Sequence, residues 1–219
     1  MITKVAVERL IRMAQGGTYT DEQRLDYQYM KSQLNVFRAT TIRILYVGDR
    51  YTGKNTRINN LYYQSFYPEY SKFLQTSDCF NVFEVPPVVS LDDKSDGFRY
   101  IGTVDNSLAF KRITDRADLS NLNNLSKFAP KDSTFISALY VYPYIEIYGQ
   151  NVKEFKIEAV FQNPFEIPTF NEYYDEYPMS ESDFSKMEQM VYREQTAIEM
   201  SRPADDISDS GEPNIQMKK

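Results

Sequence analysis

The interval between apolar residues changes twice along this 219-residue chain, and that change limits the fold more than any single motif does. Ile2, Val5, Ala6, Leu10, Met13 and Ala14 recur at helical spacing, and Gly16-Gly17 follow where a helix exit belongs. A second helical stretch places Leu25, Tyr29, Val36, Phe37, Thr40, Ile44 and Val47 on one broad face. Arg38 and Arg43 fall on its other side, and the run is expected to end at Gly48. Together these segments predict an αα-hairpin that needs a partner surface, since neither helix would be stable alone.

From about residue 78 the interval becomes two. Phe80, Val82 and Val85 alternate with polar neighbours until Pro86-Pro87 ends the strand. Phe98–Val104 and Leu108–Ile113 are expected to pair around Asp105-Asn106. A longer hairpin is expected from Phe135 through Ile145-Glu146-Ile147-Tyr148, turning at Gly149-Gln150-Asn151 and returning through Phe155, Ile157, Ala159 and Phe161. Pro143 inside its first strand suggests an edge or a bulge. Residues 114–133 read as a long connection with at most one helical turn. After Pro178 the helical interval returns in Phe184, Met187, Met190, Val191 and Ile198. Ser180 or Ser182 is the expected cap, and Glu181 and Asp183 suit the positive end of the helix dipole.

These patterns predict an α+β chain in which an N-terminal helical hairpin and a C-terminal helix form a helical part, with a mainly antiparallel β-domain inserted between them. The expected divisions are 1–77 for the hairpin and connection, 78–170 for the β-rich domain and 171–202 for the closing helix. Residues 203–219 hold scarcely any apolar side chain and read as a flexible tail.

Composition narrows the chemistry. The chain has no histidine, which removes serine–histidine and cysteine–histidine nucleophiles and every His-containing zinc site. Its one cysteine, Cys79, cannot form an internal disulfide or a thiolate metal cage, and its flanks place it in a strand. No apolar run approaches the roughly 20 residues of a membrane span, and no basic-then-apolar leader opens the chain, so a soluble protein without a secretory address is expected. Charge is unevenly spread: residues 1–60 hold ten Lys and Arg against five Asp and Glu, whereas residues 171–200 hold two against eight. A net charge of −6 disfavours a dedicated nucleic-acid binder.

Three local features invite a functional reading. Gly48-Asp49-Arg50-Tyr51-Thr52-Gly53-Lys54-Asn55 has the spacing of a phosphate-binding P-loop, but Asn55 stands where a magnesium-binding hydroxyl belongs. A nucleotide-binding accessory enzyme using Gly48 to Lys54 is therefore the alternative reading. Asp92-Asp93, Asp205-Asp206 and the Glu172, Asp175 and Glu176 group lack the spacing of an EF-hand loop and read as solvated acidic loops. Tyrosine clusters at Tyr62, Tyr63, Tyr67 and Tyr70, at Tyr140, Tyr142, Tyr144 and Tyr148, and at Tyr173, Tyr174 and Tyr177. Its broad ring and polar tip suit protein–protein contacts, with strand propensity and core filling accounting for about half of them.

Three segments carry a family resemblance. The first is Gly16-Gly17 with Asp21-Glu22-Gln23-Arg24-Leu25, Leu34 and Arg38-Ala39. The second is Phe83-Glu84-Val85-Pro86-Pro87 with Gly97-Phe98-Arg99-Tyr100-Ile101-Gly102-Thr103-Val104. The third is Ile157-Glu158-Ala159-Val160-Phe161-Gln162-Asn163-Pro164, then Tyr177-Pro178 and a Met-containing helix ending at Arg202-Pro203-Ala204-Asp205-Asp206. In this order the chain resembles the neck, or ring, structural proteins of crAss-like tailed bacteriophages of the podovirus type, as loose patterns over most of its length.

The resemblance implies a virion structural protein without catalysis, cofactor or metal, assembled in the host cytoplasm and placed in the neck at the head-to-tail connector. It implies a homo-oligomeric ring of twelve-fold symmetry that contacts the phage portal protein and neighbouring neck or tail proteins. Packaged DNA would pass through the channel without specific recognition, and no membrane is involved. A ring joins unlike faces of successive subunits. The expected charged interface sets Arg9, Arg12, Arg38 and Arg43 against Glu172, Asp175, Glu176, Asp205 and Asp206 of a neighbour or of the portal.

Overall fold

The computed structural model describes residues 1–14, 27–53, 58–68, 81–92, 95–118, 136–149 and 152–201. Helix α1 (Thr3–Ala14) forms where the opening spacing predicts a helix; Ala6 and Leu10 of that spacing are buried together with Val7 and Ile11, whereas Ile2 and Val5 are exposed. Helix α2 (Tyr27–Tyr51) departs from expectation in two ways. Its inward line is Met30, Leu34, Arg38 and Ile42, with Thr41 beside it, whereas Tyr29, Val36 and Ile44 are exposed. The helix also runs past Gly48, whose exposed position costs only about 1 kcal/mol relative to alanine. It stops where Gly53 takes a φ of +67° and the Thr52 hydroxyl donates to the carbonyls of Gly48 and Asp49.

Helix α3 (Glu181–Ser201) starts as its sequence predicts. The Ser180 hydroxyl accepts the Asp183 N–H at 3.2 Å and donates to the Asp183 carboxylate at 2.6 Å, capping the first turn. Phe184, Met187 and Val191 face inward, and α3 packs against both α1 and α2. This helical core is closed by Tyr62, Val89, Leu91, Val160, Tyr177 and Met179.

The fold is mixed α+β, with seven strands among the described residues. They are β1 (Gln64–Phe66), β2 (Asn81–Glu84), β3 (Phe98–Gly102), β4 (Lys111–Ile113), β5 (Ser137–Val141), β6 (Tyr144–Tyr148) and β7 (Lys156–Ala159). One sheet has the order β1-β7-β3 and is antiparallel. The other has the order β2-β6-β5-β4, antiparallel except for the parallel pair β4–β5. Strand β1 brings sheet structure into the segment expected to be a mere connection, so the β-rich part begins at Gln64 rather than at 78.

Two expected pairings are replaced. The segments Phe98–Val104 and Leu108–Ile113 meet only beside their turn, where Gly102 bridges Ala109 and the Phe110 N–H donates to the Ile101 carbonyl at 2.7 Å. The chain then leaves that sheet, and β4 joins β5 in the other. A side chain at Gly102 would stand 2.3 Å from the Leu108 carbonyl oxygen, so this close approach requires glycine. The stretch from Phe135 to Tyr148 is likewise two strands: the chain reverses at Tyr142-Pro143, a cis peptide, and β5 and β6 form a tight hairpin. After Gly149, at φ +105°, the chain crosses to the first sheet, where β7 pairs with β1 and β3. Period-two alternation records which side chains point inward and is blind to which strand lies alongside. Cys79, Phe80 and Phe135 lie outside the described residues.

The sheets share a second core of Phe66, Phe83, Phe98, Phe110, Ile145, Ile147, Phe155, Ile157 and Phe161. Phe155 stands at its centre, edge-on to Phe83 at 4.7 Å and tilted against Phe110 at 6.0 Å.

Candidate assembly interface

The four arginines proposed for an interface have four different environments. Arg38 is fully buried. Its Nε donates to the Pro178 carbonyl at 2.9 Å, Nη1 to the Phe161 carbonyl at 2.7 Å and Nη2 to the Tyr62 carbonyl at 3.2 Å. Three carbonyl dipoles and the ring of Tyr177, 5.9 Å away, surround the charge. Burial lowers the Arg38 pKa, with Tyr177 and Tyr62 opposing that shift, and burial raises the Tyr177 hydroxyl far above its ordinary value. Arg38 is thus a fastener inside the chain, buried too completely to meet a partner as the sequence reading expects.

Arg9 is also engaged within the chain. It grips Glu188 through two hydrogen bonds of 2.9 Å, Nε to Oε1 and Nη2 to Oε2, and reaches Glu181 at 3.1 Å. Lys31 of α2 pairs with Glu172. The Asp175 carboxylate accepts the Asn171 N–H at 2.7 Å and closes its own turn, while the backbone of Glu176 bridges Ile2. The opposite charges of the opening and closing segments therefore meet within the chain itself. Arg12 and Arg43 are exposed and form no hydrogen bond or ion pair with another described residue. Asp205 and Asp206 lie outside the described residues.

This contrast is measurable. Arg9→Glu sets a third carboxylate beside Glu181 and Glu188 and is expected to cost about 2 kcal/mol, more than an ordinary exposed pair. For a chain of this size that lowers the melting temperature by roughly 4–8 °C. Arg12→Glu is expected to stay within about 0.5 kcal/mol of the parent. Thermal denaturation followed by circular dichroism distinguishes the two, and equal effects would refute the internal pairing of Arg9.

The segment from Gly48 has none of a P-loop's strand–loop–helix form as far as Gly53: it is the last turn of a helix and its exit. Lys54 and Asn55 lie outside the described residues. Asp92 is held by Arg50. Among the described residues, no group of three or more His, Cys, Asp or Glu is arranged to hold a metal.

Near the closing helix, Tyr62, Ser180, Asp183 and Lys186 form a polar knot. Burial alone would raise the Asp183 carboxyl, but hydrogen bonds from Lys186, Ser180 and Tyr62 outweigh it and hold the group below its ordinary value. Burial and the bond to Asp183 push the Tyr62 hydroxyl well above its usual range. The knot anchors the 3₁₀ turn at Asn60–Tyr62 to the start of α3.

The tyrosines divide by position. Tyr62, Tyr148 and Tyr177 are core, and Tyr140 stacks edge-on against Phe98 at 4.9 Å. Tyr142 is 64% exposed at the β5–β6 tip, with Val141 and Tyr144 beside it, and Tyr174 is 82% exposed after Tyr173. Tyr70 lies outside the described residues. On the outward face of α2, Tyr29, Val36, Ile44 and Tyr51 are exposed, Val36 by 55%. Tyr29, Val36 and Ile44 belong to the apolar face that the sequence spacing predicts for this helix. The signal that identifies the true inward line is the strict four-residue interval of Met30, Leu34, Arg38 and Ile42.

No protein-family model matches the chain, and a search of the curated proteins returns no relative. Among the described residues, no helix is long and apolar enough to cross a membrane.

Proposed function

We propose that this chain is a virion structural subunit that assembles as a ring in the head-to-tail connector of a tailed bacteriophage, acting by protein–protein contact. The observation that carries the assembly part of this reading is the outward face of α2. Tyr29, Val36, Ile44 and Tyr51 stand in solvent along a helix whose inward line is already filled. Such aligned apolar exposure favours an interaction surface over an isolated subunit. A ring requires unlike faces to meet, and the exposed pair Tyr173-Tyr174 supplies a separate surface for this. The resemblance carried by the segments around Arg38-Ala39, Pro86-Pro87 and Asn163-Pro164 supports the connector and its portal contact.

The deciding experiment is quantitative mass spectrometry of purified particles of the phage that encodes the chain, normalised to the portal protein. A copy ratio of one, or a simple multiple, is the expected result. Absence from the particle would overturn the proposal.

A further inference from the structure

Beneath the β5–β6 hairpin tip lies an open groove of about 390 Å³. Tyr67 and Tyr142 line it together with Pro86, Pro143 and Pro168. Both tyrosines are exposed, so their rings are accessible to a ligand. Glu84 and Glu166 line the same groove and are also exposed. Asn163 donates to one oxygen of Glu166 at 2.9 Å, and the Glu84 side chain forms no hydrogen bond or ion pair with another described residue. Among the described residues no Lys or Arg lines the groove, and its charged wall is made by Glu84 and Glu166.

Tyrosine faces and pyrrolidine rings present shallow apolar surfaces that fit the ridges of an extended proline-containing strand. Such a strand is already ordered in solution and loses little entropy on binding. Paired carboxylates beside such a surface select a cation and reject an acidic segment. We infer that this groove binds an extended, proline-containing segment of a partner protein bearing at least one Arg or Lys. The inference goes beyond the ring reading, because the lining residues it uses all come from one copy.

The test is a fluorescein-labelled heptapeptide with one arginine between two proline pairs, titrated into the full chain and followed by anisotropy. Saturable binding that weakens with added salt is expected. The peptide with Glu in place of Arg should bind about tenfold more weakly, as should the Arg peptide to Tyr142→Ala and Glu84→Lys. Both substitutions are at exposed positions, and an unchanged melting curve verifies folding. Should Tyr142→Ala misfold, Glu84→Lys with the two peptides still decides the matter. Equal binding of the Arg and Glu peptides, or no saturable binding, overturns the inference. Self-association of the chain that Tyr142→Ala abolishes would assign the groove to a second copy and likewise overturn it.

Discussion

Arg38→Ala is expected to lower the melting temperature by roughly 10 °C or more, the largest effect of any single substitution in the helical part. Removing the side chain leaves the carbonyls of Tyr62, Phe161 and Pro178 without their donor and opens a cavity beside Tyr177. Each buried acceptor left unsatisfied costs about 1–3 kcal/mol, so about 4 kcal/mol is a conservative total. That is a large share of the 5–15 kcal/mol typical of a folded domain. Arg38→Lys separates charge from geometry, because one ammonium cannot reproduce the planar fork that reaches three carbonyls on three segments. It is expected to lose most of the same stability. Thermal denaturation by circular dichroism checks both, and a drop below about 3 °C for Arg38→Ala would refute the fastener role.

Phe155→Ala is expected to cost about 4 kcal/mol, with the damage centred in the β-rich part. The ring is 1% exposed and stands between Phe83 of β2 and Phe110, which precedes β4. Phe83 belongs to the four-stranded sheet and Phe110 stands where the chain leaves β3 for that sheet, whereas the chain just after Phe155 enters the three-stranded sheet as β7. Truncation therefore empties the joint where the chain passes from one sheet to the other. Amide hydrogen exchange should show lost protection in β2 and β6 well before α1. Phe155→Leu, which retains much of the volume, should recover more than half of the loss. Uniform loss across helices and strands would show that the joint is no weaker a point than the rest.

The elements themselves were largely legible, and the reasons for the failures are specific. The start of α3 could be read from Ser180, Glu181 and Asp183, because a cap is a local hydrogen bond made by local residues. Alternation locates the segments of β2 to β7 but misses β1, reads β5 and β6 as one strand, and gives β4 and β7 the wrong neighbours. Partner choice there turns on Gly102, on the Tyr142-Pro143 reversal and on Gly149, each of which redirects the chain without altering the alternation. The face of α2 was inverted for a different reason. A stripe containing arginine reads as solvent-facing unless its acceptors are known, and these come from residues 24, 123 and 140 positions away. The same inversion hid the candidate interface, since Val36 and Ile44 were expected in the core.

The order in which a ribosome delivers this chain gives the layout a temporal meaning. The sheet core draws on residues from Phe66 to Ile167, so its side chains are all available once that stretch has emerged. The helical core instead needs Tyr177, Met179, Phe184, Met187 and Val191, which arrive later. Until then α1 and α2 lack the part of their cover that α3 supplies, and Arg38 lacks its Pro178 acceptor. The residues of the sheet core are therefore delivered before the last residues of the helical core. Any partner that engages α2 before that moment meets both of its faces rather than one.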